Sequence, residues 1–294
     1  MKGSQAARLP GNRLHLQHGP IDLVIGADGD TEAAFAAAHG RFATVLEELV
    51  AELPLLRDAV GQWPASPVAQ RMVSACQPHT ANAFVTPMAA VAGSVADEIL
   101  RAMVQATPLS RAYVNNGGDI AIWLTGKASF RIAMSGLAGD ELGRIALTAD
   151  QPSRGIATSG RGGRSLSMGI AESVTVLARN AAAADVAATL ITNATDLPGH
   201  PAITRQAARD LHPDSDLGAR PVVTDVAPLS HAEITCALSS GMACARDMRD
   251  KGLIDAAALT LSGETVVVGD GIVMPGLPIP NTDTHPIERI PLHV

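Results

Sequence analysis

Residues 113–135 read YVNNGGDIAIWLTGKASFRIAMS. Tyr113–Val114 and Ile120–Leu124 are apolar β-formers, and they predict a buried strand on both sides of a polar interruption. The interruption is two amides, two glycines and a carboxylate, Asn115 to Asp119. Gly117 and Gly118 lack Cβ atoms, so the backbone there can bulge or meet another group closely. Asn116 and Asp119 are then either the hydrogen-bond hub of a structural bulge or the floor of a polar ligand site. Thr125–Gly126–Lys127 predicts a hairpin turn, with the chain returning through Ser129–Ser135.

Outward from this segment, hairpins recur. Upstream, Arg13–Gln17 and Ile21–Ile25 flank His18–Gly19–Pro20 as an opening hairpin. Asp30 or Thr31 caps a helix whose Phe35, Phe42, Val45, Leu46, Leu49 and Leu53 fall at helical spacing before Pro54 stops it. Ser66 and Pro67 open a short helix to about Ser74. TPMAAVAGSVADEILRAMVQA predicts a helix over 87–105, with Ala89, Ala92, Gly93 and Ala96 giving it a small-residue surface that another backbone or a ligand can approach. Downstream, strands are expected near Gly143–Thr148, Gly155–Ser159, Ser173–Ala178 and Val222–Val226. A helix is expected at Ala181–Thr192, and a polar loop or irregular helix at Arg205–Asp216. Ser230 and Glu233 form a capping-box pattern opening a helix to about Arg249, and Ala258–Leu261 and Thr265–Val268 flank a last hairpin. The tail from Pro275 is proline-rich. Hairpins outnumber crossovers, so the predicted class is α+β, with largely antiparallel sheets and packed helices. The helix–strand–hairpin order of 87–135 returns loosely in 181–268, which suggests two related lobes within one domain spanning 1–294.

Composition narrows the function. In 294 residues, 47% are hydrophobic and only 2% aromatic, so the core must be aliphatic and base-stacking surfaces are not expected. A net charge of −7 argues against nucleic-acid binding. Cys76, Cys236 and Cys244 share no paired spacing, which favours a reducing compartment, and Cys236 and Cys244 are read as core packing on one helix face. No run has the length of a membrane span and Met1–Gly11 has no signal-peptide core. A cytoplasmic protein with a small-molecule ligand is expected, and the Ala-rich helix faces leave room for a homodimer.

Two further segments carry chemistry. GIATSGRGGR, 155–164, ends a strand in Thr158, Ser159 and Gly160 and continues into a glycine-rich loop with Arg161 and Arg164, and Arg154 precedes it. It is either an anion cradle or a flexible exposed loop; no lysine stands in P-loop spacing. In ADVAATLITNAT, 184–195, Asp185 and Thr189 are four apart on a helix and share a face. They are either hard oxygen ligands for Mg2+ or a similar cation, or Asp185 is simply a charge near a helix N-terminus. His79 precedes the small-residue helix and either faces the same pocket or is solvated.

In their order along the chain these segments resemble the ApbE-like superfamily, whose best-known members are flavin transferases. Asn115–Ile120 resembles its N-A-G-G-D strand, Ala157–Gly160 its A-T-S-G segment, Ala184–Ile191 its A-D-x-x-A-T helix start, and Met88–Asp97 its small-residue helix, with Gly93 and Asp97 in register. The resemblance covers about residues 80–200. It implies a cation held by Asp185, Thr189 and the carbonyl of Ala89. It implies FAD or another nucleotide against Asn116, Gly117, Gly118, Asp119, Thr158, Ser159, Gly160, Arg161, Ala92 and Gly93. Asp119 and His79 are the catalytic candidates. The chain also departs from the transferases. RGGRSLSMGIAE stands where they carry a histidine loop with an Asp-Pro pair, and Ala92 stands where they carry a lysine. The chain looks closest to the cytoplasmic branch that lacks that loop, some members of which are associated with sulfur assimilation. The resemblance therefore implies a reaction other than standard FMN transfer, on a flavin, nucleotide or other phosphorylated small molecule in a cation-assisted pocket. The alternatives it leaves are a non-catalytic flavin or nucleotide binding module, or a protein assisting sulfur assimilation.

Overall fold

The structure, a computed structural model, describes residues 3–59, 61–135, 141–163 and 165–275. Its strands are β1 (Gln5–Leu9), β2 (Arg13–His18), β3 (Ile21–Gly29), β4 (Leu109–Asn116), β5 (Asp119–Leu124), β6 (Ser129–Ser135), β7 (Glu141–Thr148), β8 (Gly155–Ser159), β9 (Ser173–Ala178), β10 (Ile203–Ala207), β11 (Pro221–Val226), β12 (Ala256–Leu261), β13 (Glu264–Gly269) and β14 (Ile272–Val273). Its α-helices are α1 (Thr31–Ala51), α2 (Leu53–Leu56), α3 (Pro67–Cys76), α4 (Val91–Ala106), α5 (Ala181–Ala194), α6 (Ala208–Leu211) and α7 (His231–Asp250). A 3-10 turn, Pro87–Ala90, leads into α4.

Nine strands make one sheet in the order β1-β2-β3-β4-β5-β8-β9-β12-β13, antiparallel at every pairing. Period-two alternation buries both faces. On β4 and β5, Ala112, Val114 and Ala121 point to the helices α1, α3 and α4, while Tyr113, Ile120, Ile122 and Leu124 point the other way. On β12, Leu259 and Leu261 pack under α5 and α7, while Ala256 and Ala258 face the opposite side. That opposite side is covered by a small sheet, β14-β7-β6, through Phe130, Ile132, Met134, Ile145 and Leu147. The helical side carries two cores, one over β2–β5 and one over β9 and β12. The α+β class is as expected from the sequence. So are the Asp30 cap, which accepts from the Ala33 amide, and the capping box of Ser230 and Glu233.

Four local expectations are corrected. Residues 113–124 are two strands, not one bulged strand. Gly117 (φ 65°) and Gly118 (φ 109°) form the two-residue turn that sets Asn116 opposite Asp119, and a turn with positive φ at both positions suits the twist of a hairpin. Second, 125–127 does not fold the chain back within the same sheet. β6 pairs with β7 instead, because its apolar face is what covers Ile122 and Leu124. Third, 203–207 is a strand paired with β11, where buried Val222 anchors it, and only 208–211 is helical. Fourth, Cys236 is exposed rather than packed in a core. The tail beyond Pro275 lies outside the described residues.

The two halves of the large sheet meet at a narrow seam. β5 and β8 share two residue pairs, Ile120–Ile156 and Ala121–Gly155, before they diverge. The Gly117–Gly118 turn and the end of β8 open onto this gap.

Candidate functional site

A cavity of about 630 Å3 lies at the seam. One wall is polar. It is built from Asn116, Gly117 and Asp119 at the hairpin turn, Thr158, Ser159 and Gly160 at the end of β8, Gly163 and Ser165 beyond it, and Asp185 and Thr189 on α5. The facing wall is apolar, with Leu46, Leu49 and Val50 from α1, Leu53 and Leu56 from α2, and Met88, Val91 and Val95 around the start of α4. Arg57 is the one cationic residue on the described lining. A concave site with one greasy wall and a few converging polar groups is the usual form of a small-molecule pocket.

The polar wall rests on the crossing of α4 and α5. The helices cross so closely that a Cβ on Gly93 would sit 2.3 Å from the carbonyl oxygen of Ala181. Each helix caps the other. The Asp185 carboxylate on α5 accepts from the Gly93 amide at 3.0 Å and from the Ala92 amide. The Asp97 carboxylate on α4 accepts from the Ala181 and Ala182 amides at 3.1 and 3.0 Å. These amides are the donors a helix N-terminus leaves unpaired, and the helix dipole favours a carboxylate there. The Asn116 side chain closes the frame by donating to the Ala92 carbonyl at 3.0 Å. Burial nevertheless dominates the ionisation. It lifts Asp97 to about 6 against the pull of its two amides. It lifts Asp185 well above the usual carboxylate range, with the nearby Asp97 adding to the rise. Arg71 acts on Asp97 through space, but no cation acts on Asp185, whose buried charge is under-compensated.

The donors that Asp185 and Thr189 present are hard oxygens, as Mg2+ or a similar cation requires. Among the described residues no three His, Cys, Asp or Glu gather into a metal cluster. A cation here would complete its shell with main-chain carbonyls, water or the ligand.

The sequence-predicted residues divide into those the fold brings together and those it does not. Asn116, Gly117, Asp119, Thr158, Ser159, Gly160, Ala92, Asp185 and Thr189 line the one cavity. The Thr158 hydroxyl is bonded to that of Thr175 at 2.9 Å. Gly93 stands behind the wall and acts through its amide. Gly118 turns away, its amide donating to Asn115 Oδ1 at 2.8 Å. Ala89 packs against the second core, while Met88 and Ala92 from the same turn reach the cavity. Arg161 pairs with Glu172 at 3.2 Å, and Arg154 donates to the carbonyls of Ala149, Gln151 and Ser153, so neither forms an anion cradle in the cavity. Arg164 lies outside the described residues. His79 is buried in a different cavity, beside Lys251 and Asp247, where burial and the Lys251 charge hold its pKa low. It is removed from the site. The apolar wall was missed, although its signal was present: the leucine stripe of α1 continues past Pro54 to Leu56.

Among the described residues no helix is long and apolar enough to cross a membrane. The chain is 35% identical over 161 residues to a UPF0280 protein of Methanothrix thermoacetophila, covering 51% of this chain and 64% of that protein. It is 33% identical over 154 residues to a UPF0280 protein of Methanococcus vannielii, covering 50% and 61%. The chain thus spans less than two thirds of the length of these relatives. Among solved structures, the apbe protein of Thermotoga maritima aligns over 89% of this chain and 96% of its own, with 12% identity and a TM-score of 0.49. The apo flavinyl transferase ApbE of Pseudomonas stutzeri aligns over 90% and 93%, with 11% identity and a TM-score of 0.46. A family model described as AbpE bacteria matches residues 6–267, including every segment on which the resemblance to the ApbE-like superfamily rests, and the chain belongs to this family.

Proposed function

We propose that the seam cavity binds a flavin, nucleotide or other phosphorylated small molecule together with a hard cation, and acts on it by a reaction other than FMN transfer to protein. The observation that carries this reading is the convergence of Asp185 and Thr189 with Asn116, Gly117 and Asp119 on one wall of a cavity of about 630 Å3 whose facing wall is apolar. Asp185 and Thr189 would hold the cation, which would neutralise a phosphoryl group that a lining with two carboxylates and one arginine cannot. Asp119, buried at the turn and on the cavity lining, would be the residue to move a proton. Two departures count against FMN transfer: Ala92 in place of a lysine, and RGGRSLSMGIAE in place of the histidine loop.

A second reading is a carrier that binds without turnover. It is favoured by the described lining, which contains no histidine, cysteine or lysine. Native mass spectrometry of the freshly purified full chain, followed by calorimetric titration with FAD in the presence and absence of Mg2+, tests both. Binding that requires Mg2+ and weakens about 10- to 100-fold in Asp185→Asn supports the site. Unaltered flavin after prolonged incubation favours the carrier. Titration curves identical in Asp185→Asn and the parent chain overturn the proposal.

A further inference from the structure

We propose that a second cavity, farther along α4 than the seam, is a separate site for a phosphomonoester carrying a planar ring. This cavity, about 380 Å3, lies between α3, α4 and the start of α5, and shares no lining residue with the seam cavity. Three guanidinium groups reach it from three elements: Arg71 from α3, Arg101 from α4, and Arg179 from just ahead of α5. The one carboxylate among them is Glu98. Its fully buried side chain accepts from Arg71 at 3.2 Å and Arg101 at 2.7 Å, and also from Arg41 at 2.8 Å.

Glu98 accounts for the position of Arg71 and Arg101, but it does not exhaust them. The lining holds three positive charges and one negative, an excess of two on the lining itself, with Asp97 just behind it drawing on the Arg71 charge, in a chain whose net charge is −7. The Nε of Arg71 is out of water with no hydrogen-bond partner among the described residues. Arg179 is exposed, and no ion pair or hydrogen bond of its side chain occurs among the described residues. The helix-end amides of α5 are already taken by Asp97 and Asn180, so the attraction comes from the arginine side chains. An excess of two matches a phosphomonoester dianion, and the guanidinium fork matches its oxygens. Trp63, 57% exposed, lines the same cavity and offers a ring face beside that charge.

The chain has two tryptophans, so Trp123→Phe leaves Trp63 as the sole tryptophan, read by excitation at the red edge where Tyr113 does not absorb. In that background phenyl phosphate should quench Trp63 saturably. Inorganic phosphate should bind more weakly, and phenol not at all. Arg179→Gln should raise the dissociation constant for phenyl phosphate about tenfold or more without lowering the melting temperature, and Asp185→Asn should leave the titration unchanged. Calorimetry on the chain with both tryptophans reads the same affinities independently of the Trp123 substitution. The proposal is overturned by binding of phenyl phosphate weaker than about 1 mM, by equal affinity for phenyl phosphate and inorganic phosphate, or by an Arg179→Gln protein that titrates like its parent.

Discussion

Asp97 and Glu98 are consecutive residues on α4 in different electrostatic surroundings. Asp97 faces the α5 crossing, where it accepts from two backbone amides and feels the Arg71 charge only through space. Burial wins there, and its pKa rises to about 6. Glu98 faces the arginine side. Burial opposes its charge as well, but the guanidinium groups of Arg101 and Arg41 outweigh it, and its pKa falls to about 2. Backbone dipoles can position a carboxylate without fully compensating its lost hydration, whereas full charges can do both. The seam side is therefore short of positive charge and the arginine side has a surplus, which is why a cation is inferred at the first and an anion at the second.

The largest effect is expected from removing the carboxylate that organises the arginine side. Glu98→Gln leaves Arg41, Arg71 and Arg101 facing one another around a neutral amide, and breaking a buried ion-pair network from one side costs about 3–5 kcal/mol. Urea unfolding at neutral pH should show that loss. The parent chain should also reveal the group by titration. Its folded pKa is depressed, so its contribution is complete above the ordinary value of 4.5 and is lost as pH falls towards about 2. A Glu98→Gln protein that matches its parent at pH 7 would mean that the arginines are held by other contacts.

On the seam side, Gly93→Ala drives a methyl group into the Ala181 carbonyl, 2.3 Å from the new Cβ. Both partners are helix backbone and cannot yield locally, so the crossing must open. Overpacking of this kind costs about 1–3 kcal/mol, against a helix-propensity gain of about 1 kcal/mol. Because the Gly93 amide is one of the groups that aims Asp185, ligand and cation binding at the seam should weaken in the same variant, while the phenyl phosphate titration should not. Equal loss at both cavities would show that the variant unfolds generally rather than acting on the crossing.

Much of this arrangement was legible in the sequence, and the parts that were not share a cause. The edges of β8, β9, α5 and α7 fall within a few residues of their hydrophobic patterns because alternation and helical spacing are local properties. Asp185 and Thr189 were legible because four residues on a helix fix a common face. Gly117–Gly118 is legible as a bulge or a ligand-site floor but not as a turn between two strands, since glycines serve all three and only the partner strands distinguish them. The destination of β6 was not legible, because an alternating strand carries no label for the sheet it will join. Leu46, Leu49 and Leu53 were legible as an apolar stripe, and Leu46 and Leu49 are in the core, but that they also line a cavity was not legible, because a leucine facing a cavity and a leucine facing another leucine have the same spacing. Arg71, Arg101 and Arg179 come from three elements with no motif linking them, and only the fold gathers them.

The smallest expected effect is the most direct test of the difference between the two sides. Asn at position 97 mimics the protonated carboxyl in shape and charge, and leaves Glu98 untouched. The folded pKa of Asp97, about 6, lies above its ordinary value of 3.8. Between those values the folded state holds a proton that the unfolded chain releases, so the contribution of Asp97 to stability is greatest below the lower value and declines as pH rises through the upper one. The Asp97→Asn protein should lack this decline. Relative to it, the parent should lose about 1–2 kcal/mol between pH 4 and pH 6.5 in urea unfolding. The slope has the opposite sign to the one Glu98 produces at lower pH, so a single stability profile separates the two carboxylates. A parent chain that gains stability over Asp97→Asn across that window would mean that the two α5 amides outweigh burial, and that the seam has no shortage of positive charge for a cation to fill.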